Sequence, residues 1–226
     1  LREEFDSTLP RFDLMAQLER APDGMVLGEV SKRMMVSPGN ITVLVERLTY
    51  EPAVAAFRAC GARIVTVGLD EDGIDVEDVE RQCRLHRVRA VFVTPHHQFP
   101  TTVSMRPDRR LRLLDLARQF AFAIIEDDYD HEFHFSAQPL LPMASYAPAR
   151  IIYAGSMSKL LVPALRIGYI AAAPRVIDAL AYQISLIDGM GNSVTENAAA
   201  DLLNSGEVRR QVRKTAPIYA VRRDAF

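Results

Sequence analysis

The chain has 226 residues, 49% of them hydrophobic and 25% charged, which allows one large domain or a small and a medium domain and argues against intrinsic disorder. The formal net charge of −2 excludes a global attraction to nucleic acid or to anionic lipid. The two cysteines lack metal-type spacing and indicate a reduced, cytoplasmic compartment, and no apolar run reaches the roughly 18 residues of a membrane helix.

The first 48 residues have the pattern of short helices joined by turns. Apolar side chains recur at helical spacing in FDLMAQLERA (12–21), and LGEVSKRMM (27–35) predicts a second helix. The turn SPGN (37–40) is suited to cap a third helix, ITVLVERL (41–48). The sequence therefore predicts an all-α segment up to about residue 48.

After Tyr50 the pattern changes to alternating helices and apolar strands. Helices are predicted over 52–59, 75–86 and 107–120, and from 174 to the end with breaks near 189–191 and 206. The predicted strands are ARIVTVGL, RAVFVT, FAIIED, RIIYAG and IGYIAAA. Continuous apolar strands separated by helices predict an α/β fold, a mainly parallel sheet with helices on both faces.

Three of these strands run directly into polar clusters. RAVFVT leads into PHHQFPT (95–101), FAII into EDDY (126–129), and RIIYAG into SMSK (156–159). Because ligands of open α/β sheets bind beyond the carboxyl ends of the strands, we expect the three clusters to share one rim.

Lys159 is the first candidate in these clusters. A lone loop lysine is more often solvated, but an amine just past a buried strand can be desolvated, which frees its lone pair for imine formation. Ser156 and Arg166 flank it, and a hydroxyl with a guanidinium is suited to a phosphate dianion.

Asp127 and Tyr129 are the second pair of candidates. If the strand persists, period-two alternation puts their side chains on the same side. A carboxylate there can keep a pyridine nitrogen protonated, which makes the ring an electron sink, and Tyr129 can hydrogen-bond a ring hydroxyl. Most of the other acids nearby are interpreted as solvated loop residues: Glu126, Asp128, Asp130 and Glu132.

Histidine pairs occur at 96–97 and at 131 and 134. Paired histidines invite a metal interpretation, but neither pair has a third ligand at a helpful spacing, and only the fold can unite the two pairs. The prediction is that the chain has no metal site and that these histidines lie at the surface or behind the ligand-contacting residues.

The segment from about residue 44 to 226 resembles the aminotransferase-like domain of MocR-type transcription regulators of the GntR family, which has the fold-type-I architecture. The resemblance rests on TPHHQFPT, IIEDDYDHEF, YAGSMSKLLVPALRIGYI and YAVRRDAF, in this order. It implies a pyridoxal 5'-phosphate cofactor with Lys159 as the catalytic lysine that forms the Schiff base. It also implies that Asp127 contacts the pyridine nitrogen, Tyr129 the ring hydroxyl, and Ser156 with Arg166 the phosphate.

The chain departs from the pattern of active relatives in one loop. Many aminotransferases carry Asn-Pro-Thr-Gly where this chain has FPTT (99–102), so Phe99 replaces the asparagine, as is usual in the MocR group. Gln98 or His97 is expected to contact the cofactor in its place. Thr102 stands at the glycine position, a departure that bears on the backbone turn.

The first 48 residues resemble instead the winged-helix core of MarR-type regulators, in which the third helix enters the major groove of DNA. This resemblance makes Ser37, Asn40 and Thr42 candidate DNA contacts. The wing that should follow is missing. We therefore predict a helix-turn-helix-like segment at 1–48 and a partial aminotransferase-like domain at 49–226, because the first part of the cofactor domain and the small C-terminal domain are not recognised.

Three functions are compatible with the sequence. The first is the pyridoxal-phosphate-binding effector domain of a DNA-binding regulator, with an amino-acid or amine effector, a homodimer and no membrane partner. The second is a working class I/II aminotransferase with Lys159 as imine former and proton shuttle. The third is a fragment of a MarR-type DNA-binding regulator. Whether the chain is an enzyme stays open at this point.

Overall fold

The computed structural model describes residues 41–133, 140–187 and 191–225. The helices in these ranges are α1 (Glu51–Ala59), α2 (Val76–Leu85), α3 (Pro107–Phe120), α4 (Pro174–Ile187), α5 (Ser193–Asn204) and α6 (Glu207–Asp224). The strands are β1 (Thr42–Glu46), β2 (Arg63–Val67), β3 (Leu69–Asp70), β4 (Gly73–Ile74), β5 (Val88–Val93), β6 (Ala123–Asp128), β7 (Ile151–Ser156) and β8 (Gly168–Ala171). Single 3-10 turns occur at Met143–Ser145 and Pro163–Leu165.

Six strands form one sheet in the order β2-β1-β5-β6-β7-β8. The first five pair in parallel, and β8 lies antiparallel to β7 at the edge. The strands β3 and β4 form a separate antiparallel hairpin. The predicted α/β class and mainly parallel sheet are confirmed.

Both faces of the sheet are covered by apolar side chains. Leu44 and Ile124 point to the face on which the Leu113 and Leu116 side chains of α3 pack, together with residues of α2. Strand residues that alternate with them belong to a second cluster on the other face, against which the apolar side of α1 packs. The members of this cluster include Val43 and Val45 of β1, Phe92 of β5, and Val54 and Phe57 of α1. The sequence positions of α1, α2 and α3 agree with the predicted helices to within a residue or two at each end.

The segment predicted as a recognition helix, residues 41–48, instead contains the strand β1 (Thr42–Glu46). It lies in the sheet between β2 and β5, and its five residues are all buried. Thr42 pairs with Arg63 on one side and Val88 on the other and is 6% exposed, so the expected DNA contact at this residue is wrong. The β-branched residues of TVLV fit a strand, and pairing with two distant strands outweighs the helical reading.

The other two predicted DNA contacts, Ser37 and Asn40, lie outside the described residues, as do the helices predicted at 12–21 and 27–35. Residues 42–46 belong to the sheet, so this part of the predicted helix-turn-helix segment is part of the α/β unit.

Gly155 in β7 is required by the packing of the edge strand. A Cβ atom at this position would lie 2.2 Å from the ring of Tyr169, its partner in β8. The Tyr169 ring also packs against Tyr153, with 6.1 Å between centroids. The glycine therefore lets a tyrosine of the edge strand lie over β7 and support the Tyr153 side chain.

Cys60 is exposed and Cys83 is buried, and both are free thiols. Across the described ranges, none of the helices has the length and apolar character that crossing a membrane requires.

Candidate functional site

The strands β5, β6 and β7 are neighbours, run in parallel and end at the same rim of the sheet. Val93 at the end of β5 is paired with Glu126, and Asp128 at the end of β6 is paired with Gly155. The loop after β5, the Asp127–Tyr129 segment and the turn after β7 therefore follow adjacent strand ends. This placement is the one expected from the sequence.

Gln98 organises the loop after β5 from the inside. Its side chain is 1% exposed, and its Nε2 donates to the carbonyl oxygens of Leu48 and Phe99, both at 2.6 Å. Its Oε1 accepts from the Thr101 hydroxyl at 2.6 Å and from the Thr101 backbone at 3.1 Å. The structure thus places Gln98 in a different role from the predicted cofactor contact, because its amide is buried and already bonded to its own loop and to the end of β1.

Thr102 adopts the left-handed backbone conformation, with φ of 61°. Its backbone N–H donates to the carbonyl of Gln98 at 2.7 Å, and the N–H of Gln98 donates to the carbonyl of Val103 at 2.9 Å. A β-branched residue adopts this conformation rarely, which is why glycine is the usual occupant. The turn nevertheless closes here with threonine, and the Phe99–Pro100 peptide bond within it is cis.

The two remaining residues of this loop face different partners. The Nδ1 atom of His97 lies 2.9 Å from Oδ2 of Asp130, and this hydrogen bond raises the pKa of His97. The Phe99 ring lies edge-on between Tyr50 and Tyr129, with centroids 5.7 and 6.4 Å away. His97 is therefore held by a carboxylate, and Phe99 puts an aromatic edge beside Tyr129.

Glu46 lies buried beneath this loop at the end of β1, with 1% of its surface exposed. Its Oε2 accepts from the Thr94 hydroxyl at 3.0 Å and from Gln98 Nε2 at 3.2 Å. Burial raises its pKa to about 7 against the lowering effect of these hydrogen bonds, and the negative charge of Asp127 adds to the rise. Sequence reasoning missed this residue because it assigned VLVER to a helix.

Replacing Glu46 by glutamine should change how stability depends on pH. The folded-state pKa of about 7 lies above the ordinary value of 4.5, so the Glu46 contribution is complete below about pH 4.5 and is lost as pH rises through 7. We expect the free energy of unfolding of Glu46→Gln, relative to wild type, to rise by roughly 3 kcal/mol between about pH 4.5 and 8. Urea unfolding across this pH range measures it; parallel curves for the two proteins would contradict the buried-acid assignment.

Asp127 is a partly buried carboxylate without a positive partner. Burial, followed by the negative charges of Asp128 and Asp130, raises its pKa to about 6. Within the described part of the chain its carboxylate makes no hydrogen bond or ion pair. A protonated ring nitrogen would supply the missing cation, so this residue fits the pyridine end of pyridoxal phosphate.

Tyr129 has the properties of a neutral hydrogen-bond donor. Burial and the charges of Asp130, Asp127 and Asp128 raise the pKa of Tyr129 to about 12. The phenol therefore keeps its proton at neutral pH and can donate it to an oxygen on the ring of a bound cofactor.

Two of the acids interpreted as solvated loop residues are in fact buried. Glu126 is fully buried and accepts hydrogen bonds from the backbone N–H groups of Met143 and Ala144 at 2.8 and 2.9 Å. Asp128 is 2% exposed, and its Oδ2 accepts from the Tyr153 hydroxyl at 2.9 Å. The interpretation was wrong because alternation along β6 turns both side chains to the face opposite Asp127.

Lys159 lies in a tight turn after β7. The backbone N–H groups of Leu160 and Leu161 donate to the carbonyl of Met157 at 3.2 and 2.9 Å. Met157 and Leu160 are each 4% exposed and pack with Phe133, so they anchor the turn from below. Lys159 points away from these anchors and is exposed, which differs from the desolvation expected from the sequence.

The two predicted phosphate contacts come together at this same end of β7. Ser156 pairs with Gly168, and the N–H of Met157 donates to the carbonyl of Ile167 at 3.0 Å. Arg166 immediately precedes this pairing, with an exposed side chain and a left-handed φ of 53°. The backbone segments that carry Ser156, Lys159 and Arg166 thus lie next to one another at this end of β7.

Comparison with known proteins gives two kinds of relative. Residues 27–226 match the family Aminotransferase class I and II. The whole chain matches 54% of aromatic-amino-acid aminotransferase 1 of Thermococcus litoralis at 32% identity. At 32% identity, 88% of the chain matches 39% of the probable rhizopine catabolism regulatory protein MocR of Rhizobium meliloti. The crystal structure of multiple substrate aminotransferase from Thermococcus profundus superimposes with a TM-score of 0.80 at 27% identity, over 99% of this chain and 63% of that one.

The chain spans about half the length of the relatives that it matches. The family match begins at residue 27, inside the segment predicted to be helix-turn-helix-like, and the MarR resemblance of that segment is not confirmed. Aminotransferases of this class use pyridoxal 5'-phosphate, which is the cofactor implied for this chain. With its parallel sheet, its matched sequence and a rim whose residues fit that cofactor, the chain belongs to the aminotransferase class I and II family.

Proposed function

We propose that the chain is the pyridoxal-phosphate-binding effector part of a MocR-type transcription regulator, with Lys159 as the covalent attachment point. The main support is the state of Asp127, a partly buried carboxylate whose pKa is raised by burial and by the negative charges of Asp128 and Asp130. Such a group is poorly placed as a structural residue and well placed to meet a pyridinium. An amino-acid or amine effector and a homodimer belong to the same proposal.

Each residue of the rim has a distinct task in this proposal. Asp127 holds a proton on the ring nitrogen, and Tyr129 donates a hydrogen bond to the ring oxygen. Ser156 and Arg166 bind the phosphate, the hydroxyl as a donor and the guanidinium as a counter-charge. Lys159 supplies the amine. The cofactor, when bound, contributes an electron sink.

One feature of the loop after β5 favours a regulator over a working aminotransferase. Many relatives with aminotransferase activity carry an asparagine at the position of Phe99, and the neighbouring amide of Gln98 is buried and bonded to Leu48 and Thr101. Within the described residues this loop therefore presents no amide to the cofactor. The rival reading, a working aminotransferase, is supported by the match of the whole chain to the Thermococcus litoralis enzyme.

Visible absorption spectroscopy tests the proposal. The purified chain, mixed with pyridoxal phosphate and freed of excess, is expected to show an absorption band distinct from that of the free cofactor. Addition of an amino acid or amine should change the band without producing keto acid. Accumulating keto acid would establish the aminotransferase alternative, and the absence of any bound band would refute cofactor binding itself.

A salt titration of binding to mixed-sequence duplex DNA tests the third reading, a MarR-type DNA-binding fragment. Through Tyr50 the chain has six basic and eight acidic residues, a net charge of 6 − 8 = −2. Phosphate contacts supply most non-specific affinity, and the expected recognition helix is a buried strand. We expect weak binding with a shallow salt dependence. Tight binding at physiological salt that falls steeply as salt rises would contradict this.

A further inference from the structure

A compact cluster behind Asp127 consists of His96, Asp128 and His131, which we call the histidine cluster. One ligand atom from each residue lies within 4.8 Å of the other two. The Nδ1 atoms of His96 and His131 lie 3.0 and 2.8 Å from the same oxygen, Oδ2 of Asp128. The two histidine pairs that looked unrelated in the sequence thus contribute one residue each to a single site.

The orientation of His96 is fixed by the backbone. Its Nε2 lies 2.6 Å from the carbonyl oxygen of Leu140, which can only accept a hydrogen bond, so Nε2 carries a proton. In the neutral ring the lone pair is then on Nδ1, which lies 3.0 Å from Oδ2 of the Asp128 carboxylate. Two acceptors that face each other require a cation or a further proton between them. A carbonyl that accepts from the distal nitrogen is the usual support of a metal-binding histidine.

Asp128 has unused capacity as a ligand. Its carboxylate is 2% exposed, and its Oδ1 has no hydrogen-bond partner among the described residues. The other oxygen, Oδ2, accepts from the Tyr153 hydroxyl at 2.9 Å, which fixes the plane of the carboxylate. A buried carboxylate oxygen without a partner is costly unless a cation or a proton meets it.

The buried arginine beside the histidine cluster does not pair with its carboxylate. Glu126 and Asp128 are two buried acids, and Arg110 is the buried base nearby. The Arg110 guanidinium donates hydrogen bonds to the carbonyl oxygens of Met105 and Pro95 rather than to either carboxylate. Asp128 therefore has no ion pair with Arg110, and its partners are the two histidines and the Tyr153 hydroxyl.

We propose that the histidine cluster is a binding site for one divalent transition-metal ion of the zinc type, held by Nδ1 of His96, Nδ1 of His131 and the carboxylate of Asp128. Two imidazoles and one carboxylate form a ligand set that zinc accepts, with a water molecule as fourth ligand. The site is open to solvent on the side of His131, because 32% of the His131 side chain is exposed.

The distances from Asp128 to the two histidines need to lengthen only slightly, and all three ligand atoms already lie within 4.8 Å of one another. Zinc lies about 2.0–2.2 Å from nitrogen and oxygen ligands, which sets tetrahedral ligand-to-ligand distances of roughly 3.3 Å. The present separations of 3.0 and 2.8 Å from Asp128 Oδ2 are a few tenths of an ångström shorter. A bound ion would tie the loop after β5 to the end of β6, directly behind Asp127, and would stiffen the rim.

Metal titration of the full chain, loaded with pyridoxal phosphate and stripped of metal with a chelator, tests the proposal. Elemental analysis after addition of zinc is expected to find one ion per chain, and cobalt should give the intense visible bands of a tetrahedral site. His131→Asn, at the open side, is expected to weaken zinc binding on the order of 100-fold, since even outer-shell losses cost about 10–100-fold. His86→Gln, which replaces a histidine of another part of the fold, is the matched control and should bind as wild type does.

The melting temperature with and without zinc provides a second readout. Zinc should raise it in wild type and in His86→Gln, but not in His131→Asn. Equal zinc binding by all three proteins, or none by wild type, would overturn the proposal and leave the histidine cluster as a hydrogen-bond network with a protonated histidine. The cofactor band is recorded on the same samples, so failure of metal binding is distinguishable from failure of cofactor binding.

Discussion

Lys159→Ala is expected to abolish the covalent adduct that borohydride traps between the chain and pyridoxal phosphate. The chain has lysines at only three positions, 32, 159 and 214, so few amines compete. Of the two lysines in the described ranges, Lys159 follows a strand of the central sheet and shares its turn with Ser156, whereas Lys214 lies in α6. Its amine is exposed on the rim beside the predicted phosphate contacts, where a carbonyl carbon can reach it.

Two further variants separate covalent attachment from binding by charge. Lys159→Arg keeps the positive charge but cannot form an imine, so we expect it to lose the trapped adduct as alanine does. Lys214→Ala removes an exposed amine of α6 and should leave the adduct at the wild-type level. Mass spectrometry of the reduced, digested protein identifies the modified peptide. An adduct that persists in Lys159→Ala would move the attachment point elsewhere.

Asp127→Asn is expected to lower the affinity for pyridoxal phosphate about tenfold or more. The reason is the loss of a charge-assisted hydrogen bond to the ring nitrogen, which contributes on the order of 1.5–3 kcal/mol. The neighbouring acids are poor substitutes, because Asp128 points to the opposite face of the sheet and Asp130 is engaged with His97. Fluorescence titration of the chain with the cofactor measures the affinity.

The same variant carries a pH signature. Burial raises the pKa of Asp127 to about 6, so without cofactor the group is ionised above that pH and neutral below it. Cofactor affinity should therefore fall as pH is lowered through 6 in wild type, and this step should be missing in Asp127→Asn. Asp115→Asn, which changes an exposed acid paired with Arg118, is the control and should keep the step. If Asp127→Asn has the same cofactor affinity and the same pH profile as wild type, Asp127 does not contact the ring nitrogen of the cofactor.

Much of the architecture could be predicted from the sequence, because most strands of the six-stranded sheet are short apolar runs between turn residues. The helix at 107–120 begins with a proline at its first position and ends before Ala121, which has a left-handed backbone conformation. Both ends of this helix are therefore set by residues next to them in the sequence. The motifs at the ends of β5, β6 and β7 could be placed on one rim for the same reason, since parallel strands bring their carboxyl ends together.

The identity of β1 was decided by distant pairing. Residues 42–45 are all apolar or β-branched, a pattern that fits a buried helix turn as well as a buried strand. Hydrogen bonds to the strands Arg63–Val67 and Val88–Val93 make this segment a strand, and both of these strands lie about 20 or more residues away in the chain. Glu46 acquires its raised pKa through the same pairing, which buries it beneath the loop of Gln98.

What the sequence by itself determined is the class of fold, the order of most of its elements and the residue types available at the rim. The tertiary structure alone decided which of these residues meet. Adjacent acids, Asp127 and Asp128, face opposite sides of one strand, and His96 and His131 come from different loops to the same carboxylate. Local sequence fixes backbone preference over a few residues, whereas contacts across a sheet depend on strand order and register, which only the packed chain establishes.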